Sequence, residues 1–284
     1  VVNNIDLEHL DTYRDLADLK ASFTQFASTV PFFGAALLGL DDPNVQEIRP
    51  ALSARVRVVT FGLTPQADVT ARDLALERNG SRFTAVAGGE ALGEVSVSLP
   101  GLHNVKNALA AIAVSRELEV PFEACATTLA TFAGVARRFE RKGERHGVLV
   151  VDDYAHHPTE VAATLGAARQ AHPERRLVVV FQPHLFTRTR DQADGFGAAL
   201  LAADVVYVLP VYPSREQPIP GVTSRLVSGA ARSRGHRAVV DVDDRASLVP
   251  RLLAELKSGD LLATMGAGDV NRLGEELLAR PEGA

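Results

Sequence analysis

Two segments in the second half of the chain carry residue types that could do chemistry: VDDYAHHPTE at 151–160 and FQPHLFTRTR at 181–190. Each follows an apolar run that reads as a buried strand, and each packs histidines, a hydroxyl or aromatic group and charged side chains into a strand-to-helix turn. In an open parallel α/β sheet, ligands bind in the crevice at the carboxyl ends of the strands. The two clusters therefore read as two walls of one small-molecule site. In the first, Pro158 suits an opening helical position, so His156 and His157 precede a helix N-terminus. The positive end of that helix dipole disfavours imidazolium, which keeps both rings neutral near pH 7. Asp153 can accept two ribose hydroxyl bonds, and Tyr154 offers a hydroxyl. A capping segment alone would explain one polar residue there, not five in a row. In the second, His184 and Arg188 flank a turn. The fork of Arg188 matches a small carboxylate, while one of Arg188 and Arg190 is expected to be a solvated helix residue.

Four further segments are weaker signals. In NNIDLEHLDTY at 3–13, His9 lies among Asp6, Glu8 and Asp11, a combination that suits a divalent metal but equally an acidic helix start. In LPGLHNVKNALAA at 99–111, His103, Asn104 and Asn107 share one helix face. Carboxamides there suit a purine edge, although one asparagine could simply cap the helix. FAGVARRFE at 132–140 places Arg137 and Arg138 at a domain joint, where guanidinium groups suit phosphate and a charged linker is the simpler account. MGAGDVN at 265–271 reads as a packing turn. No GxxxxGK[ST] phosphate loop occurs.

The elements that must position these residues follow from periodicity. The first half predicts a strand end at 1–6, a helix over 14–30 stopped by Pro31, a strand in FFGAALLGL, a turn at DDPN (41–44) and a strand at 56–63. An antiparallel meander is expected over 68–99, with a type I′ hairpin at Asn79-Gly80. Helices follow at 103–118 and 121–132. After Gly134 strands near 148–152, 177–182, 204–210, 237–241 and 260–265 alternate with helices, which is the grammar of a doubly wound parallel sheet. The fold class is α/β, with a mixed-sheet domain at 1–136 and a Rossmann-like domain at 137–284. The stretch RRFERKGERHG reads as the linker between them, and PVYPSREQPIPG at 210–221 as a mobile loop.

Composition narrows the function class. The 284 residues are 46% hydrophobic and 23% charged, with net charge −5 and pI near 5.9. This acidic balance argues against nucleic-acid binding, which calls for a basic face. No apolar run is long enough to span a bilayer, so no membrane insertion is expected. The single cysteine, Cys125, excludes a disulfide framework and points to a reducing, cytoplasmic setting. A strand at residue 1 suggests that the chain begins in mid-domain.

The order NIDxxHLDxY, LPGxHNxxNALAA, FxGxxRRFE, DDYAHHPTE, FQPHxxTRT, MGAGD resembles the bacterial Mur ligases over essentially the whole chain. The resemblance implies the later part of a central ATPase domain followed by a complete C-terminal domain. It implies ATP and Mg2+ as cofactors, with UDP-N-acetylmuramate and L-alanine as partners in cytoplasmic peptidoglycan precursor synthesis. The carboxylate would be phosphorylated, the amine would attack the acyl phosphate, and a tetrahedral intermediate would collapse to the amide. His9 then looks like a magnesium ligand, and His103, Asn104 and Asn107 like the adenine contacts. Arg138 resembles a nucleotide-phosphate arginine and Asp153 the ribose acceptor. Tyr154, His156, His184 and Arg188 resemble the residues that seat the amino acid and present its amine. Leu185 departs from the pattern, since many relatives have arginine there, which leaves more of the substrate carboxylate to Arg188. With the phosphate loop expected upstream of residue 1, this chain alone is expected to be inactive. Two alternatives are a murein-peptide recycling ligase, which the QPHxxTRT segment argues against, and a non-catalytic binding module derived from the family.

Overall fold

The computed structural model describes residues 1–8 and 12–280. The chain divides into two compact units, Val1–Ala133 and Gly134–Ala284.

In the first unit, α1 (Leu16–Ser28) begins where the Asp15 carboxylate accepts the Asp18 amide. β1 (Ala36–Gly39) pairs in parallel with β2 (Val58–Phe61), and Val2 forms a single parallel bridge to Leu38. The expected strand end at 1–6 is thus one bridge only. DDPN is not a plain turn. Asp42 accepts the Val45 amide and opens α2 (Pro43–Ile48), with proline at the position that needs no donor. The meander is present as β3 (Val69–Glu77), β4 (Gly80–Ala87) and β5 (Glu90–Val97). Its turn chemistry differs from expectation. Glu77 pairs with Gly80, so the first loop is Arg78-Asn79, and neither residue has positive φ. The two positive φ values that a type I′ turn demands fall instead at Gly88 (58°) and Gly89 (87°), between β4 and β5. Gly80 is required for another reason: the Val97 carbonyl oxygen stands where a Cβ would go. α3 (Leu102–Glu117) and α4 (Phe122–Thr131) complete the unit. Alternate residues of β1 serve two cores, Leu37 among the side chains around α3 and Leu38 among those of α1 and α2.

The second unit is wound on both faces of a six-stranded sheet. Its strands are β6 (Glu140–Arg145), β7 (Val148–Asp153), β8 (Arg176–Phe181), β9 (Val205–Val208), β10 (Val239–Asp241) and β11 (Asp260–Met265), in the order β10-β9-β8-β11-β7-β6. All neighbours are parallel except β6 and β7. One face buries Leu149, Val151, Leu177, Val179 and Phe181 against α5 (Pro158–Ala171), α6 (Phe186–Ala199) and α7 (Arg225–Ser233). The other buries Val148, Val150, Val178 and Leu262 against α8 (Leu248–Glu255) and α9 (Asn271–Ala279). Strands covered on both faces read as continuous apolar runs, which is why VLVV and LVVV were legible. The stretch expected as a linker is β6, an antiparallel edge strand. Its charge, interrupted only by Gly143, hid it, and charge on an edge is what keeps that edge from pairing with another chain.

Register decides where the chemistry stands. Asp153 is level with Met265, Met265 with Phe181, and Phe181 with Val208. The segments that follow β7, β11 and β8 therefore leave the sheet at one edge, with β11 inserted between the two strands that carry the polar clusters.

Candidate functional site

Each strand-to-helix turn of the second unit is held by its own means. After β7, His157 is the N-cap of α5 and Glu160 completes a capping box. The Glu160 carboxylate accepts the His156 amide at 2.9 Å and the His157 amide at 3.2 Å. Asp153 is only 5% exposed. It accepts the Phe139 amide at 2.8 Å, the Ala155 amide at 2.8 Å and the Thr164 hydroxyl at 3.0 Å. Burial pushes its carboxyl above the ordinary value in spite of those donors. Among the described residues Oδ1 accepts the Ala155 bond alone, which leaves it acceptor capacity.

After β8 no side chain of the turn caps α6, and Leu185 sits at φ 68°. A side chain at positive φ outside glycine stores strain, and the surrounding contacts must hold it. They come from the loop 209–224. The Leu185 amide donates to the Tyr212 carbonyl at 3.0 Å, and the Tyr212 amide donates to the Pro183 carbonyl at 2.8 Å. Glu216 accepts the Thr187 amide at 3.0 Å and the Thr187 hydroxyl.

These turns bring four of the sequence-derived residues together. The Tyr154 and His156 rings meet edge to face at 5.2 Å between centroids, and His156 meets His184 at 6.0 Å. Arg188 lies 3.2 Å from His184 Nδ1. A guanidinium can only donate, so Nδ1 accepts and a neutral His184 carries its proton on Nε2. His156 Nδ1 lies 2.9 Å from the Tyr154 carbonyl oxygen, which can only accept. His156 therefore carries a proton on Nδ1, which also lies 3.2 Å from the Glu160 carboxylate. The value for His184 is pushed down to about 4, chiefly by burial, then by the charges of Arg188 and His156. The ring is neutral at physiological pH.

The arginine pair separates into two roles. Arg137 donates to Asp152 at 3.0 Å and to the Gly266 carbonyl at 2.7 Å, tying the ends of β7 and β11 together. Arg138 is half exposed and pairs with Glu160 at 3.3 Å. Both lie over the Tyr154 ring, at 4.8 and 6.0 Å. The MGAGD turn packs: the Gln182 carbonyl lies 2.6 Å from where a Gly266 Cβ would be, and the Tyr212 ring 2.7 Å from that of Gly268.

In the first unit, Gly101 is the N-cap of α3, so neither asparagine caps it. Asn104 Nδ2 donates to the Pro100 carbonyl at 2.8 Å. Asn107 Oδ1 accepts from Asn3 Nδ2 at 3.2 Å, and its own Nδ2 lies 3.5 Å from Asn104 Oδ1. His103 and Asn104 are half-buried and Asn107 is exposed. His9 and Asp11, and with them the expected metal site, lie outside the described residues. Among the described residues no three His, Cys, Asp or Glu side chains converge as a metal site, and no helix is long and apolar enough to cross a membrane.

Sequence reasoning missed Arg137, Glu160, Tyr212 and Glu216 as residues that build the site. Glu160 had a readable signal, a glutamate three residues after an N-cap, and Arg137 was read only for its affinity for phosphate.

Comparison with known proteins adds an independent line. Residues 1–115 match the Mur ligase middle domain, and residues 137–268 match the Mur ligase, glutamate ligase domain. The UDP-N-acetylmuramate--L-alanine ligase of Salinibacter ruber is 50% identical over 275 residues, which is 97% of this chain and 58% of that protein. The chain spans about three-fifths of the length of the curated relatives it matches. Among solved structures, the UDP-N-acetylmuramate-alanine ligase MurC of Thermotoga maritima superposes with a TM-score of 0.73 at 25% identity, covering 95% of this chain and 56% of that one. MurF of Acinetobacter baumannii, at 19% identity, shares the fold with a TM-score of 0.76 over 98% of this chain and 60% of that one.

Proposed function

This chain belongs to the Mur ligase family, and from that premise we propose that it is part of an ATP-dependent ligase that joins L-alanine to UDP-N-acetylmuramate in cytoplasmic peptidoglycan precursor synthesis. The observation that carries the reading is the Arg188–His184–His156–Tyr154 constellation at the carboxyl ends of β7 and β8. A fixed guanidinium beside the neutral His184 ring and the His156 imidazole suits a zwitterion whose carboxylate must be held while its amine loses a proton.

In this reading Arg188 clamps the carboxylate of L-alanine. His184 and His156 line the place of the amine, with Tyr154 closing the edge. The amine attacks the acyl phosphate carbonyl, and the tetrahedral adduct expels phosphate and leaves the amide. Positioning accounts for most of such a step, because aligning two reactants removes the entropy of bringing them together. For ATP, the exposed carboxamide of Asn107, with Asn104 and His103 beside it, takes the adenine edge. Arg138 takes phosphate oxygens, and Asp153 Oδ1 a ribose hydroxyl. The hard oxygen donors Asp6 and Glu8 beside His9 suit magnesium, which when bound neutralises phosphate charge.

The test is L-alanine binding to the purified chain by titration calorimetry. Arg188→Ala is expected to weaken it by about 10- to 100-fold, the loss of a charge-assisted bond pair, and to leave ATP affinity unchanged. Equal L-alanine affinity in both proteins would remove the clamp assignment. No binding of any amino acid to the parent would count against the whole reading.

A further inference from the structure

The loop after β9 stands outside every segment that pointed to chemistry, yet one of its side chains closes the ring chain. The Tyr212 ring stacks on His184, with centroids 5.9 Å apart and planes 14° from parallel. Its backbone is fixed by two hydrogen bonds to the β8–α6 turn, a parallel bridge between His184 and Tyr212 that continues the β8–β9 pairing beyond the strands. On its other side the ring lies against Gly268, where any Cβ would fall 2.7 Å from Cγ. The same Cβ would meet Gln182 Oε1, a buried amide oxygen with no hydrogen-bond partner among the described residues, whose Nε2 is held by Asp269 at 3.0 Å. Three turns, after β8, β9 and β11, thus meet at one aromatic ring.

We propose that Tyr212 is a positioning residue: its ring fixes the plane of His184, so that Nδ1 faces Arg188 and the ring edge faces His156. This rests on the reading of the site as an amino-acid seat. The physical argument is rotational. His184 χ2 is a broad torsion, and the single bond from Arg188 does not set the ring plane. A stacked neighbour does, through dispersion and the quadrupoles of the two rings. Gly268 is small because Tyr212 occupies the space, and Tyr212 is in place because its backbone is part of the sheet edge. The ring also shields His184 from water, in line with the low value of that imidazole. The charged and titratable groups facing His184 are Arg188 on α6, His156 from the β7–α5 turn, and Arg215 and Glu216 on the same loop as Tyr212.

The experiment compares the parent chain with Tyr212→Ala and Tyr212→Phe. Histidine side-chain resonances are followed against pH by NMR, with His184 assigned through a His184→Gln variant, and L-alanine and ATP affinities are measured alongside. In Tyr212→Ala the His184 midpoint is expected to rise by about one pH unit as water reaches the ring. L-alanine affinity should fall roughly two- to tenfold, with ATP affinity unchanged. Tyr212→Phe should keep both. An unmoved midpoint in the alanine variant overturns the proposal, as does a phenylalanine variant that behaves like alanine. Should the alanine variant not fold, Tyr212→Leu keeps the bulk without the flat face and is read in the same way. A midpoint that shifts as expected in a chain that binds no amino acid would leave the positioning role standing and remove the functional reading.

Discussion

The turns after β7 and β8 sit at the same edge of one sheet and lead into helices of equal length, but they are built in opposite ways. The first is self-contained. Its N-cap, its capping glutamate and its proline lie within four residues, and they satisfy the amides that open α5. The second has no cap of its own and holds Leu185 at a φ that only glycine adopts at low cost. It is completed by Tyr212 and Glu216 from a loop that follows the next strand. A capping motif makes a turn independent of its surroundings. A turn without one is only as well placed as the loop beside it, and His184 and Arg188 ride on the dependent turn.

Removing each cap tests the contrast most directly. Glu160→Ala leaves two backbone donors of the α5 turn without their acceptor and is expected to lower unfolding free energy by about 1–2 kcal/mol in urea denaturation. Loop 209–224 should stay as resistant to protease as in the parent. Glu216→Ala should instead expose that loop to limited proteolysis, since its link to Thr187 is lost. If Glu160→Ala loosened the loop as much, the first turn would not be independent. A smaller effect is expected at Leu185. Leu185→Gly relieves the strained φ and should raise stability by up to about 1 kcal/mol, partly offset by the greater freedom of glycine in the unfolded chain. A loss of stability there would mean that the turn is unstrained. A separate test of the dependent turn is with pH. The folded-state value of His184, about 4, lies below 6.5, so between these values the unfolded chain takes up a proton that the folded chain refuses. The stability tied to this ring is complete above pH 6.5 and falls as pH drops towards 4. His184→Gln should remove that part of the slope.

The same contrast explains what the sequence revealed. The β7 turn was legible because its devices are local: a proline that suits an opening helical position, histidines before it and a glutamate after it. The alternation of apolar runs and helices was legible because strands covered on both faces have no polar side. β6 was not, because Arg141, Lys142, Glu144 and Arg145 make an edge strand that looks like a linker. The glycine pair at 88–89 makes the I′ turn while Asn79-Gly80 does not, because register, set by the pairing of both strands, decides which two residues stand at the bend. Tyr212 and Glu216 were invisible for the reason that makes them structural. Their partners in the β8 turn lie 27 or more residues away and are reached only when β9 pairs with β8. Arg137 carried a readable chemistry in the wrong role. It was weighed as a phosphate ligand, and the structure turns it inward onto Asp152.

The place of β11 has a consequence for the order of events during synthesis. Among the described residues it is the last strand in sequence, and it is the one that separates and joins β7 and β8. A nascent chain released as far as Gly259 already contains Tyr154, His156, His184, Arg188 and Tyr212, but its second unit has only two half-sheets with no strand between them. Contacts across the β7 and β8 turns wait for the six residues Asp260–Met265. Domains fold as units from the N-terminus as they emerge. In this one the candidate site is brought together by β11, so a chain interrupted before Asp260 carries the residues of the two turns without the strand that joins them.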